Sequence, residues 1–317
     1  MHFRCPENPK DFHEIKEANE SLPWRVFIFI KMAISLGILF GIIAMIGWGF
    51  SDFFAAMAAR KTSVIKTLIW SQIVGTLMLI PAFLLFFKFP DISISALMLI
   101  LISAFLNIIA LLAFYKGMQV GNVSVISPIS SSYAAITVIL SLIFLNEKLT
   151  SLQAAGISLA ILGTILASFK LHGLEKLKPE NIVRGVKYGL IAMLGWGIAF
   201  VFIGILVENL GWFFPPLLIK TAGIFYILAY AGTAKKSISF PKNAALLVAL
   251  IGILETIGFL SIGAGMSLEQ TSIVVPVSST YALMTIILAQ IFFKEVIELN
   301  QKIGVAAVLL GLALLAI

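Results

Sequence analysis

Three ionisable residues stand inside long apolar segments of this 317-residue chain: Asp52, Lys220 and Glu255. An ionised group in hydrocarbon is costly, so such residues usually face the interior of a helix bundle and mark a pathway. Lys220 and Glu255 could neutralise each other as a buried ion pair, contact a polar solute or move a proton. Asp52 could alternatively lie near an interface and reach water. These interpretations stay open at the level of sequence.

Two tryptophans and two tyrosines form a second group of candidate residues. Trp48 and Trp196 each stand between two glycines, which allow another backbone to approach while the indole presents its face and one N–H donor. Either packing or contact with a solute would use this arrangement. Tyr133 and Tyr281 each follow a Pro-x-Ser-Ser motif, and a phenol inside a membrane still needs a hydrogen-bond partner. We therefore expect both tyrosines to face a cavity.

The segments that carry these residues have the length and composition of membrane-spanning helices. The chain is 60% hydrophobic and only 12% charged, outside the usual range of water-soluble domains. Crossing a bilayer takes roughly 20 apolar residues in a helix. The apolar runs predict ten such helices, at 36–59, 66–87, 93–115, 122–145, 151–169, 184–207, 212–233, 243–266, 270–293 and 300–317.

The chain repeats itself at an offset of 148 residues. The Gly-Trp-Gly at Trp48 recurs at Trp196, and 19 of 53 positions are identical when 117–169 is laid over 265–317. The same offset aligns Lys220 with Gln72 and Glu255 with Asn107, so both copies keep polar groups at these depths. Because each copy has five predicted helices, an odd number, the second copy should enter the membrane in the opposite orientation. Inverted repeats are common in secondary transporters.

These motifs resemble the EamA-type family of the drug/metabolite transporter superfamily. The resemblance covers the chain from Ile42 to Ile317 and includes the Gly-Trp-Gly of the first helix of each copy, the Pro-x-Ser-Ser-x-Tyr motif, and Glu147 and Glu295. It implies a ten-helix carrier or exporter of small metabolites, a class that includes amino acids and toxic compounds. The resemblance specifies the family well and the solute poorly.

The predicted fold is thus an all-α membrane protein with ten transmembrane helices in two inverted five-helix repeats. We divide the chain into a polar N-terminal tail with an interfacial helix or helix extension (1–35), a first EamA-like repeat (36–169), a linker (170–183) and a second repeat (184–317). Small residues in the last helix of each copy could serve internal packing or the seam of a homodimer. Positively charged residues favour termini outside the cell, whereas the resemblance implies cytoplasmic termini.

We predict a secondary transporter that exports a small polar or amphipathic metabolite across a prokaryotic plasma membrane by alternating access. The alternative is a multipass membrane enzyme or a channel, although the sequence has no zinc-binding helix, phosphate loop or nucleophile elbow. The expected partners are a small-molecule substrate and the lipid bilayer, with proton coupling as one option and no nucleic acid, cofactor or metal. The predicted substrate-binding residues are Trp48, Asp52, Asn107, Tyr133, Trp196, Lys220, Glu255 and Tyr281.

Overall fold

The structure of the protein is a computed structural model that describes residues 35–120, 123–168, 179–284, 287–288 and 298–315. The described residues form helices and connecting turns, with no β-strand among them. The helices are α1 (Leu36–Lys61), α2 (Val64–Phe86), α3 (Ile94–Val120), α4 (Val123–Ser131), α5 (Tyr133–Phe144), α6 (Ser151–Ser168), α7 (Pro179–Leu210), α8 (Phe214–Thr233), α9 (Ala245–Met266), α10 (Thr271–Ser279) and α11 (Leu299–Leu315). The predicted interfacial helix at 24–35 and most of the predicted linker lie outside the described residues, as does Glu295.

Seven of these helices are long and apolar enough to cross a membrane: α1, α2, α3, α6, α7, α8 and α9. Three shorter apolar helices span Ile129–Phe144, Thr271–Met284 and Leu299–Leu315. Large apolar side chains on the outside of the bundle are strongly exposed, as with Leu85 and Ile94 at 75% and 77%. Such an apolar surface is favourable in contact with lipid tails and unfavourable in contact with water. The protein is therefore an integral multi-pass membrane protein.

The segment predicted as one helix at 122–145 is broken at Ser132. The backbone N–H of Ser132 donates to the Ile129 carbonyl (3.2 Å), three residues earlier, whereas an α-helix would bond to the carbonyl four residues earlier. In the second copy the N–H of Thr280 donates to the Val277 carbonyl in the same way (3.3 Å). The hydroxyl of Thr280 also donates to the Val277 carbonyl, which removes that acceptor from the regular helical ladder. The structure thus divides the predicted segment into α4 and α5 at a local three-residue turn.

The tightest helix pairs join the first sequence copy to the second: α1 packs on α9, α3 on α7, and α6 on α11. Glycines make these approaches possible, since a Cβ added to Gly163 would lie 2.8 Å from the Gly304 carbonyl oxygen, and one on Gly156 would lie 2.9 Å from that of Gly311. The sequence allows the small residues of these two helices to serve internal packing or a homodimer seam. In the structure they pack α6 against α11 within the chain. The two copies form one interlocked bundle.

A carboxylate near the end of the first copy caps a helix of the second. Glu147 follows α5, and its two oxygens accept hydrogen bonds from the backbone N–H groups of Thr271 and Ser272 at 2.7 and 2.8 Å. These are orphan donors at the N-terminus of α10, where the helix dipole also favours negative charge. Glu147 belongs to the first copy, and both N–H groups belong to the second. The structure shows that it holds the opposite copy.

Candidate functional site

A cavity of about 40 Å³ lies between the two copies. One water molecule needs about 10–15 Å³, so the cavity in this conformation has room for a few waters or one small chemical group. A larger solute would require the surrounding helices to separate. The cavity is lined by Trp48, Asp52, Asn107, Leu111, Tyr133, Trp196, Phe200, Glu255, Phe259 and Tyr281.

These ten residues are five pairs, each related by the 148-residue offset of the sequence repeat. Both copies therefore contribute the same five positions, and the cavity lies where the repeated units meet. Two of the pairs keep the same residue, Trp48 with Trp196 and Tyr133 with Tyr281. The other three pairs differ, and they are Asp52 with Phe200, Asn107 with Glu255, and Leu111 with Phe259.

Each tryptophan reaches across to the other copy. The Trp48 indole N–H donates to the backbone carbonyl of Glu255 (3.3 Å), and that of Trp196 donates to the side-chain oxygen of Asn107 (3.0 Å). The acceptors are equivalent positions of the two copies. The flanking glycines allow this approach, since a Cβ on Gly47 would lie 2.8 Å from the Leu254 carbonyl oxygen. Both indoles are thus held against the cavity with their N–H donors occupied.

An aromatic wall joins the two tryptophans along one side of the cavity. The Trp48 ring lies 5.6 Å from Phe200, which stacks on Tyr133 at 5.1 Å, and Tyr133 meets Trp196 edge-on at 5.9 Å. These centroid separations are in the range of favourable aromatic pairs. The wall presents ring faces and edges to any group in the cavity.

The phenol oxygens of Tyr133 and Tyr281 are buried and have no hydrogen-bond partner within the part of the chain that the structure describes. Ser278 lies beside Tyr133 and Ser130 beside Tyr281, each from the opposite copy, but the groups are not in hydrogen-bonding geometry. An unsatisfied buried hydroxyl is unfavourable by about 1–3 kcal/mol. Both phenols can therefore bond to a group that enters the cavity.

The three buried ionisable residues take different positions. Asp52 and Glu255 line the cavity, whereas Lys220 lies behind the lining and forms an ion pair with Glu255. Lys220 is 1% exposed, so its ammonium depends on Glu255 for compensation. Among the described residues, no hydrogen-bond donor reaches the Asp52 carboxylate. The cavity thus contains one neutralised and one uncompensated acid.

A family model for the EamA-like transporter family matches residues 35–169 and 183–317. The chain belongs to the EamA-like transporter family. This family is part of the drug/metabolite transporter superfamily, which confirms the resemblance seen in the sequence. It also confirms that the chain is a transporter-family membrane protein.

Two curated relatives and one solved structure are also similar to this chain. An uncharacterized transporter of Archaeoglobus fulgidus is 24% identical over 282 residues, which are 88% of this chain and 98% of the relative. An uncharacterized protein of Methanocaldococcus jannaschii is 34% identical over 134 residues, 41% of this chain and 95% of the relative. That relative is little longer than one copy of the repeat. A crystal structure of a protein matches with a TM-score of 0.71 at 15% identity, covers 88% of this chain and 95% of its own, and shows a shared fold.

The structure of this EamA-like protein brings together seven of the eight predicted substrate-binding residues in the cavity lining. The exception is Lys220, which contacts Glu255 from outside the lining. Three further lining residues, Leu111, Phe200 and Phe259, are not among those predicted from the sequence. Phe200 could have been found, because it is the repeat equivalent of Asp52. Phe259 and Leu111 gave no such signal, since apolar residues are common throughout the spans.

The described part of this EamA-like chain has no group of three or more His, Cys, Asp or Glu side chains arranged to hold a metal ion. The Lys220 side chain packs between α2 and α9 instead. A Cβ on Gly75 would collide with the Thr256 hydroxyl and lie 2.8 Å from the Lys220 side chain. The Thr256 hydroxyl has no hydrogen-bond partner among the described residues.

Proposed function

We propose that this protein is a secondary transporter that moves a small polar or amphipathic metabolite by alternating access between two inverted five-helix repeats, ten helices in all. The proposed solute site is the cavity between the repeats. The observation that carries this proposal is the lining, which consists of five residue pairs at one sequence offset. If the two units are inverted, a site on their symmetry axis can be exposed to either side by exchanging the conformations of the units.

The size of the cavity is compatible with this proposal. At about 40 Å³ the cavity is too small for a metabolite of more than a few heavy atoms, so the helices around it would have to separate to admit a larger one. The helices that would have to separate meet through glycine contacts, which pack closely without large interlocking side chains.

The inter-copy bonds supply contacts that such a cycle could break and re-form. Trp48 and Trp196 donate to the opposite copy around the cavity, and Glu147 caps α10 away from it. We further propose export as the direction of movement and a prokaryotic plasma membrane as the location, in keeping with the archaeal relatives.

Cysteine labelling tests the alternating-access proposal without knowledge of the solute. Ser130 and Ser278 are buried equivalents beside the cavity tyrosines, and inversion would place them towards opposite membrane faces. In a background with Cys5→Ser, which removes the only cysteine of the chain, each is replaced by cysteine. We expect a membrane-impermeant maleimide to label Ser130→Cys from one face and Ser278→Cys from the other.

The doubly substituted protein gives the decisive result. Reaction at one position should suppress reaction at the other, because a bulky adduct holds one side open while the opposite side stays closed. An exposed control, Ser237→Cys, should react at the same rate whether or not Ser130→Cys is modified. Independent labelling of both buried cysteines from a single face would indicate a continuous pore and contradict the proposal.

A further inference from the structure

The charges and donors around the cavity indicate what kind of solute it can hold. Within the described residues, the lining has two acids, Asp52 and Glu255, and no basic residue. Of the buried side chains that the structure describes, that of Lys220, which compensates Glu255, is the only basic one. When both acids are ionised, the buried set has an excess of one negative charge. An isolated charge in a low-dielectric interior requires either a counterion or a proton.

Asp52 is the group that lacks compensation. It is 9% exposed, and no donor of the described chain bonds to its carboxylate. Its equivalent in the second copy is Phe200, so the acid breaks the symmetry of the site and is not required by the repeated architecture. The carboxylate borders the cavity, where a positively charged group could approach it.

The remaining polar groups of the lining can bond to a polar solute of either charge. Both tryptophan N–H groups are already used, by the Glu255 carbonyl and the Asn107 side chain. The phenol hydroxyls of Tyr133 and Tyr281, unbonded within the described residues, can accept or donate a hydrogen bond. The preference for a cation therefore comes from the two acids, which would repel an anionic solute.

The aromatic wall completes this pattern. Trp48, Phe200, Tyr133 and Trp196 form a continuous series of ring contacts around the cavity. Ring faces attract cations through their quadrupole, most strongly when water is excluded. They also pack against the apolar part of a solute.

We propose that the solute is a compact organic ammonium ion, with Asp52 as its counterion and the aromatic wall around its apolar part. This inference rests on the proposed transport function, since it names the solute class of the same cavity. Glu255 remains paired with Lys220 and contributes its backbone carbonyl to the Trp48 bond. The cavity has room for the ammonium group, and the surrounding helices would separate around the apolar part of the solute.

Three probes of similar size and different charge test the inference: benzylammonium, benzyl alcohol and benzoate. The full-length protein in a neutral detergent is titrated with each, and binding is followed by tryptophan fluorescence and by the melting temperature. A ligand that binds only the folded state raises that temperature by mass action. We expect saturable binding of benzylammonium and at least about 10-fold weaker binding of the other two, because only the cation gains a charge-assisted bond.

Substitutions then assign the preference to Asp52. Asp52→Asn should weaken benzylammonium binding by at least about 10-fold and leave benzyl alcohol unchanged, whereas Asp52→Glu should keep the preference for the cation. The matched control Asp91→Asn changes an exposed loop carboxylate and should have no effect. Asp52→Asn should not lower the melting temperature of the empty protein, since it removes a buried carboxylate without a partner.

A preference for benzoate, equal binding of all three probes, or a cation preference that survives in Asp52→Asn would each overturn the inference. These failures are distinguishable from failure of the transport proposal. If Ser130→Cys and Ser278→Cys still show mutually exclusive labelling, the protein alternates and only the solute class is wrong. If the cation binds through Asp52 but labelling does not alternate, the solute class stands and the transport cycle does not.

Discussion

The ion pair between Lys220 and Glu255 can be tested by a double-mutant cycle. Lys220 is 1% exposed and Glu255 8% exposed, so either residue alone would leave a buried charge without a partner. Breaking such a pair destabilises a protein by about 3–5 kcal/mol. Glu255→Gln and Lys220→Met should each show a loss of this order, with the larger loss for Glu255→Gln because the lysine is the more deeply buried.

The double variant should recover most of this stability. With Gln and Met together, neither position of the pair has a charge that lost its partner, and replacing a buried pair by neutral groups is often close to neutral in free energy. We therefore expect a coupling energy of about 5 kcal/mol or more, well above the roughly 0.5 kcal/mol within which independent sites add.

Melting temperature in detergent is the practical assay, with all variants heated at one scan rate because unfolding is often irreversible. At about 2 °C or more per kcal/mol, each single variant should melt on the order of 6 °C or more below the unmodified protein. Lys236→Met and Glu208→Gln, which change exposed charges, are the matched controls and should shift by about 1 °C or less. Additive losses in the double variant would refute the assignment of Lys220 as the partner that neutralises Glu255.

Three further predictions concern contacts between the copies. Glu147→Ala removes both caps from the start of α10 and should lower stability by about 1–2 kcal/mol, seen as a lower melting temperature that Glu147→Asp does not fully restore. Gly163→Val places a side chain against the Gly304 carbonyl, and we expect loss of the monodisperse peak in size-exclusion chromatography; an unchanged profile would contradict the α6–α11 seam. Asn107→Leu leaves the Trp196 N–H without its acceptor, and this should lower stability by about 1–3 kcal/mol, while Asn107→Gln, which keeps a neutral amide acceptor, is milder.

The sequence determined the class of this protein and the composition of its site. Apolar runs of membrane-spanning length are a local property, so the helical membrane fold can be predicted without knowing which segments are in contact. The repeat can also be recognised in the sequence, because both copies keep the Gly-Trp-Gly and the tyrosine at one offset. Asp52 and Glu255 stood out since an ionisable residue in an apolar segment is exceptional. These signals require no knowledge of which helices are neighbours.

Only the tertiary structure decided how these residues are used. The Trp48 donor and its acceptor on Glu255 are 207 positions apart, and Glu147 lies 124 positions before the first N–H that it caps. No local pattern reports a contact of that separation. The position of Lys220 behind the cavity depends on the direction from which α8 packs, because the same side chain on another face would line the site. The type of a residue and its depth in a membrane span can be read from the sequence. The side chains and backbone groups that it contacts depend on how helices far apart in sequence pack together.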